Sequence, residues 1–377
     1  MTSDMTAILR REEQITLYLR GLYEKCGYRK YRMGKFEEYD LYLENKNFLK
    51  SPNIITFHDL DGHVRALKPD VTLSIAKNTH ATTQTNEKFY YLENVYRLDK
   101  ASDGYREISQ LGLECIGSIG LISLYEVLCL AQKTLAAISP SHRMQLSHMG
   151  FLVSLLDGLG VPASVRGELL ECIRTKNQHE LKAKAENAGI TPAAASLLLT
   201  AAELCGEFGA TLKRARTVAI TQSMIEALDQ LEAIYKLLEA VNQEKDIVLD
   251  FSLVNDIAYY DGIVFQGYVE GVPRALLAGG CYGRLIKKFG RDLNAIGFAV
   301  YLNELNLLFR EHGKIDVDAL ILYRADSNGP ALVRLCEEMT AKGLRVRLEK
   351  SIPADLRCAR IYRFTADNTL EEVTDNA

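Results

Sequence analysis

Residues 95 to 114, VYRLDKASDGYREISQLGLE, decide how this chain is read. Asp103-Gly104 is a turn signal between extended runs, so 88 to 98 and 105 to 116 are expected to be two antiparallel strands. A strand sends alternate side chains to opposite faces. Arg106, Ile108, Gln110, Gly112 and Glu114 share one face, while Glu107, Ser109, Leu111, Leu113 and Cys115 share the other, which is mostly core. The first face carries an arginine, an amide and a carboxylate, and Gly112 leaves space between the last two. Such a face either meets water or lines a polar ligand site. Spacing alone favours water; the flanking segments favour a site.

Upstream, Ile8, Ile15, Leu19 and Leu22 fall on one face of a helix spanning 5 to 25, ended by Gly27. Residues 54 to 66 suggest a hairpin turning at Asp61-Gly62, and Lys68 to Lys77 a turn entering a helix. Downstream, a helix is expected at 120 to 137. From 140 to 245 the chain is rich in Leu, Ala, Glu and Lys and nearly free of strand signals, and is read as a helical insertion. Within it Thr191-Pro192 starts a helix, and Leu228, Leu231, Tyr235 and Leu238 mark one face of the last one. Strands return at 247 to 300, with Gly262 to Val269 and Arg274 to Ala278 around a turn, a helix near 282 to 289, and a buried strand or helix start at 297 to 309. The tail reads as a strand in DALILYR, a helix at Gly329 to Lys342, a strand at Leu344 to Leu348 and a frayed last dozen residues. The fold class expected is α+β: an antiparallel sheet flanked by helices, built from 1–139 and 246–312, interrupted by the helical insertion 140–245 and followed by a small C-terminal α/β domain, 315–377.

The 377 residues are 47% apolar and 25% charged, an ordinary globular composition. A net charge of −4 argues against broad nucleic-acid binding. No apolar run approaches membrane-spanning length, and MTSDMTAILRREEQ lacks a signal-peptide core. Eight cysteines without a C-x-x-C pair suit a reducing cytoplasm, and seven histidines without metal-ligand spacing imply no metal site.

Several motifs then carry a resemblance. The sequence resembles the catalytic core of class II aminoacyl-tRNA synthetases, and histidyl-tRNA synthetase in particular, over roughly residues 10 to 310. GYRKYRMGKFEEYD at 27–40 resembles motif 1, the dimer-forming element, with Gly34 at the usual proline. LKPDVT at 67–72 resembles the RPEGT loop, and VYRLD at 95–99 resembles motif 2 with Arg97 at its arginine. LVNDIAYYDGIVF at 253–265 resembles the histidine-specific LVRGLDYY segment, AGGCYGRL at 278–285 resembles AGGRYDGL, and GFAVYLNEL at 297–305 resembles motif 3, GFAMGLERL.

By that resemblance, Asp70, Thr72 and Gln110 would hold the α-ammonium of histidine. Glu114, with Tyr259 or Tyr260, would read the imidazole, and Arg97 would meet a carboxylate or a phosphate. Two carboxylates suit a ligand with one fixed cation and an imidazole able to become another. The ATP machinery is depleted. The phosphate-gripping arginine of motif 3 falls at Glu304, its glycine at Tyr301, and the arginine and aspartate of LVRGLDYY at Asn255 and Ala258. In AGGRYDGL the arginine and aspartate become Cys281 and Gly283. Phosphate transition states need placed cations.

A kept amino-acid pocket beside a damaged ATP site resembles the regulatory subunits of ATP phosphoribosyltransferase. That resemblance implies a non-catalytic, cofactor-free protein in the first step of histidine biosynthesis. It implies a homodimer through motif 1, a short-form catalytic subunit as partner in a hetero-oligomer, histidine as ligand and a part in feedback inhibition. The rivals are a divergent histidyl-tRNA synthetase or histidine-activating ligase, and a tRNA-binding sensor. Plainer roles stand beside these: Asp70 as a helix cap, Tyr259-Tyr260 as one core and one exposed ring, Gly279-Gly280 as close backbone packing, Arg106 as a solvated residue and Cys281 as a small buried one.

Overall fold

The computed structural model describes residues 9–49, 53–99, 104–254, 259–309 and 315–373. Two compact units divide after Phe309.

In the first unit α1 (Arg11–Lys25) ends at Cys26-Gly27, with Gly27 at φ +83°, and β1 (Arg29–Lys30) follows. Expected helix residues 5 to 8 lie outside the described residues. A small sheet is made by β2 (Phe36–Glu38), β3 (Thr56–His58) and β4 (Val64–Leu67), in the order β2-β4-β3, with α2 (Tyr39–Leu43) between the first two. The expected 54–66 hairpin is β3–β4; its turn closes by the Gly62 N–H donating to Asp59 O at 2.9 Å. Next come α3 (Thr72–Asn78), β5 (Glu87–Asp99), β6 (Gly104–Gly117) and α4 (Leu121–Ile138).

The large sheet has nine strands in the order β1-β5-β6-β12-β11-β10-β7-β9-β8. Its remaining strands are β7 (His142–His148), β8 (Cys205–Glu207), β9 (Ile247–Asp250), β10 (Ile263–Val269), β11 (Leu277–Cys281) and β12 (Asn294–Tyr301). Only β1–β5 and β7–β9 pair in parallel. Helix α11 (Gly283–Lys288) follows β11, and α12 (Leu302–Leu308) continues straight from β12, so 297 to 309 is both strand and helix start.

The interval 140–245 is not purely helical. Its helices are α5 (Met149–Gly158), α6 (Ala163–Arg174), α7 (Gln178–Asn187), α8 (Pro192–Ala202), α9 (Phe208–Thr217) and α10 (Gln222–Glu239), but β7 and β8 belong to the large sheet. His142–His148 is buried at one end and pairs residue for residue with β10. A polar strand such as HRMQLSH shows no run of branched residues, and neighbours on both edges make it a strand. The strand expected at Arg274 to Ala278 lies further on, at Leu277–Cys281, because Val272, Leu276 and the turn absorb the earlier residues.

One face of the sheet packs on α1, α4 and the helical block, through Tyr23, Tyr90, Leu111, Leu113 and Cys115. The other face packs a second core around Tyr91, Val95, Tyr259, Tyr260 and Tyr282. Tyr90 and Tyr91 thus point to opposite cores, as the two-residue period requires. Contrary to the sequence expectation, Leu121–Ile138 has the length and apolarity of a membrane span. It spends that apolarity in the core: Val127, Leu128, Ala131 and Leu135 have no exposed surface.

The second unit is a four-stranded sheet of β13 (Val317–Leu322), β14 (Val346–Glu349), β15 (Cys358–Phe364) and β16 (Leu370–Glu372), in the order β14-β13-β15-β16, with α13 (Gly329–Ala341) after β13. β14 and β15 both run parallel to β13. The tail is therefore more than a βαβ unit: within the stretch expected to fray, β16 pairs with β15 and Leu370 packs against buried Phe364, while residues 374–377 lie outside the described residues.

Candidate functional site

The loop 68–72 is anchored before it reaches the site. Lys68 is buried and its Nζ lies 2.5 Å from Glu93 Oε2 on β5, while Lys68 O accepts from the Tyr96 N–H at 3.0 Å. This delivers Asp70 and Thr72 to the sheet face carrying Gln110 and Glu114. Asp70 does two things there. Its Oδ1 accepts from the Leu73 N–H at 2.9 Å in the first turn of α3, and its Oδ2 lies 3.5 Å from Arg97 Nη2. Arg97 also donates from Nε to Pro69 O at 2.7 Å. The capping role and a place in the site coexist.

Glu114 is the electrostatic centre. It is 3% exposed, and its carboxylate accepts from Thr72 Oγ1 at 2.8 Å and from Tyr282 OH at 2.5 Å. Burial pushes its carboxyl up to about 8, with neighbouring Asp70 adding to the rise and the two hydroxyl donors opposing it. Its proton is therefore held near neutral pH, and a cation brought beside it favours the ionised form.

The floor is made of small residues. Gly112 and Ala299 are partners across β6–β12, and Ala299 faces Ala278 across β12–β11. In the next row Glu114 faces Gly297, which faces Gly280. The space at Gly112 is not open, as the sequence suggested. Tyr91 is its partner on β5, and a Cβ at 112 would lie 2.0 Å from the Tyr91 ring. The glycines of 279-280 serve packing: Cβ atoms there would strike Phe298 and Phe265 on one side and the Tyr260 ring on the other.

One narrow cavity is lined by Asp70, Thr72, Arg97, Gln110, Glu114, Tyr259 and Tyr260 together. The face is thus buried, not solvated, from Gln110 onward. Arg106 stays outside it, exposed and paired to Asp99 at 2.7 Å. Tyr259 and Tyr260 are both buried, so neither is the exposed ring expected of such a pair; their centroids are 4.6 Å apart. Asn255 and Ala258 lie outside the described residues.

Sequence reasoning missed Tyr91, Tyr282 and Tyr301 as lining residues. Tyr282 stands inside AGGCYGRL and contacts Glu114 directly, which the Tyr259–Tyr260 assignment overlooked. Tyr301 also borders the adjoining cleft, where Arg274 Nε pairs with Glu304 Oε2 at 3.2 Å. Glu304 thus faces a cation of its own chain. Cys281 is half-buried, not fully buried, and desolvation by the atoms around its thiol still pushes it up to about 12. The open volume of the cavity is about 40 Å³, room for a few waters.

Comparison with known proteins agrees with this architecture. Residues 6–305 match the family model described as histidyl-tRNA synthetase, and the fold and site define a chain of that class II synthetase-like type. An ATP phosphoribosyltransferase regulatory subunit from Thermoanaerobacter sp. (strain X514) is 30% identical over 306 residues, covering 79% of this chain and 79% of the relative. One from Clostridium botulinum (strain Langeland) is 28% identical over 337 residues, covering 85% and 80%. The chain belongs to the family of ATP phosphoribosyltransferase regulatory subunits, relatives of histidyl-tRNA synthetase. Two solved structures share the fold. A regulatory subunit/histidyl-tRNA synthetase from Bacillus halodurans C has a TM-score of 0.74 at 24% identity, covering 90% of this chain and 88% of its own. A chain of the ATP phosphoribosyltransferase (HisG:HisZ) complex from Thermotoga maritima has a TM-score of 0.61 at 18% identity, covering 78% and 97%.

Proposed function

We propose that this chain senses histidine for ATP phosphoribosyltransferase. It acts in the cytoplasm as a non-catalytic subunit, assembled as a homodimer through the 27–40 region and joined to a short-form catalytic subunit. The observation that carries the reading is the buried Glu114, held by Thr72 and Tyr282 in a cavity shared with Asp70, Gln110 and Arg97. An imidazole brought to Glu114 relieves the cost of ionising it, and the α-ammonium draws Asp70 from Arg97, freeing the guanidinium for the ligand carboxylate.

The tightness of the cavity supports a sensor. Histidine binding must rearrange its walls, so ligand occupancy and wall conformation are coupled, and that coupling free energy is what a partner subunit reads. Family membership and the name of the Thermotoga maritima complex support the choice of partner.

The experiment is reconstitution with the short catalytic subunit from the same genome. Phosphoribosyltransferase activity should rise on mixing and fall with added histidine, and Glu114→Ala should weaken the histidine effect. Activity unchanged by mixing would count against the assignment. Histidine-dependent exchange of pyrophosphate into ATP by the purified chain would establish a synthetase or ligase instead; the internal Arg274–Glu304 pair speaks against it.

A further inference from the structure

The second unit carries a crevice that the histidine reading does not use. It lies beyond the carboxyl ends of β13, β14 and β15 and has a volume of about 770 Å³. Small-molecule pockets span roughly 300–1,000 Å³. Its position follows from topology. From β13 the chain leaves through α13 toward β14 on one side; from β15 it leaves toward β16 on the other. Where parallel strands part in this way, the loops diverge and a crevice opens at their carboxyl ends, the usual ligand position in open α/β sheets.

The charge there is unlike that of the unit as a whole. Residues 315–377 contain nine Lys and Arg against eleven Asp and Glu. The crevice nonetheless gathers Arg324, Lys350 and Arg363 with a single carboxylate, Asp326. Elsewhere in the unit Arg345, Arg347 and Arg360 are paired with Asp318, Glu349 and Glu372. Among the described residues, no ion pair engages Arg324, Lys350 or Arg363. All three are exposed at the rim of the crevice, and Arg363 has Glu371 as its cross-strand neighbour without an ion pair, so a multivalent anion seated there meets up to three cations able to turn toward it. The walls are set in advance: the Arg324 N–H donates to Ser327 Oγ at 2.9 Å, and the Thr365 N–H to Thr369 O at 3.0 Å. Asn328 and Asn368 add uncharged polar groups suited to a hydroxylated ligand body.

We propose that this crevice binds a phosphate-bearing small molecule of nucleotide size, with Arg324, Lys350 and Arg363 holding its phosphates. The crevice is formed by residues of the second unit alone, and the proposal survives or fails independently of the histidine reading.

The chain has no tryptophan, so Tyr323→Trp in the crevice wall provides a single local fluorophore. Titration of the full chain with ATP, without magnesium, should give a saturable change with a dissociation constant below about 1 mM, competed by pyrophosphate and not by adenosine. Arg324→Ala with Arg363→Ala should weaken it by about tenfold or more. Equilibrium dialysis of labelled ATP on the chain with and without the two arginine changes gives the same comparison if Tyr323→Trp perturbs the unit. Circular-dichroism melting confirms that the variants remain folded. Absence of saturable binding, binding undiminished by the double change, or response to a short single-stranded RNA but not to ATP or pyrophosphate would each overturn the proposal.

Discussion

Glu114 on β6 stands opposite Gly297 on β12, and its carboxylate occupies the place a side chain at 297 would take. A Cβ at Gly297 would lie 1.8 Å from Glu114 Oε2 and 2.5 Å from the Leu113 carbonyl oxygen. Gly297→Ala should therefore displace the carboxylate and strain the strand pair, costing about 1–3 kcal/mol of stability. Calorimetric histidine titration should show affinity lowered about tenfold or more. Unchanged affinity in the folded variant would place the ligand elsewhere.

Glu114 also sets a pH dependence. Burial raises its carboxyl from 4.5 to about 8. A raised folded-state value favours folding fully below the unfolded value, and the contribution is lost as pH climbs through the folded value. The neutral Glu114→Gln has no such loss. The stability of the variant relative to the parent should thus rise between about pH 5 and 8, by up to about 1.4 kcal/mol per pH unit, and level off above. Urea unfolding of the unliganded chain across that range is the check, and parallel pH curves would refute it.

Tyr282→Phe should move that window. The Tyr282 hydroxyl donates to Glu114 at 2.5 Å and holds its carboxyl lower than burial alone would. Without it the midpoint of the pH-dependent loss should move to more alkaline pH, with a stability cost of about 1–2 kcal/mol above the window, where Glu114 is ionised. A midpoint that stays put or turns acidic contradicts the assignment.

Asp70 separates its two roles by substitution. Asp70→Asn keeps an acceptor for the Leu73 N–H and loses the charge facing Arg97; Asp70→Ala loses both. The alanine variant should be the less stable of the two by about 1 kcal/mol, the usual worth of a helix cap. Both should bind histidine weakly. Asn binding as well as the parent would remove Asp70 from ammonium recognition.

Much of this was legible because local rules suffice for it. Alternation placed Leu111, Leu113 and Cys115 in the core, and Thr191-Pro192 starts a helix with Thr191 capping it. The seven site residues inferred from motif resemblance line one cavity. The misses share a cause. His142–His148, Cys358–Phe364 and Leu370–Glu372 lack a strong strand pattern and become strands through their neighbours. Tyr91 was invisible as a wall because the hairpin register was unknown; pairing Asp99 with Gly104 is what sets Tyr91 over Gly112.

By itself the sequence determined the main helices, the β5–β6 hairpin, the two faces of β6 and the residue types able to meet a cationic amino acid. Those follow from side-chain period and chemistry within a few residues. Only the tertiary structure decided that the polar face is buried, that Tyr282 reaches Glu114 from 168 positions away, and that Arg97 and Asp70 hold each other. Burial sums contributions from distant segments, and a carboxyl's proton affinity depends on that sum.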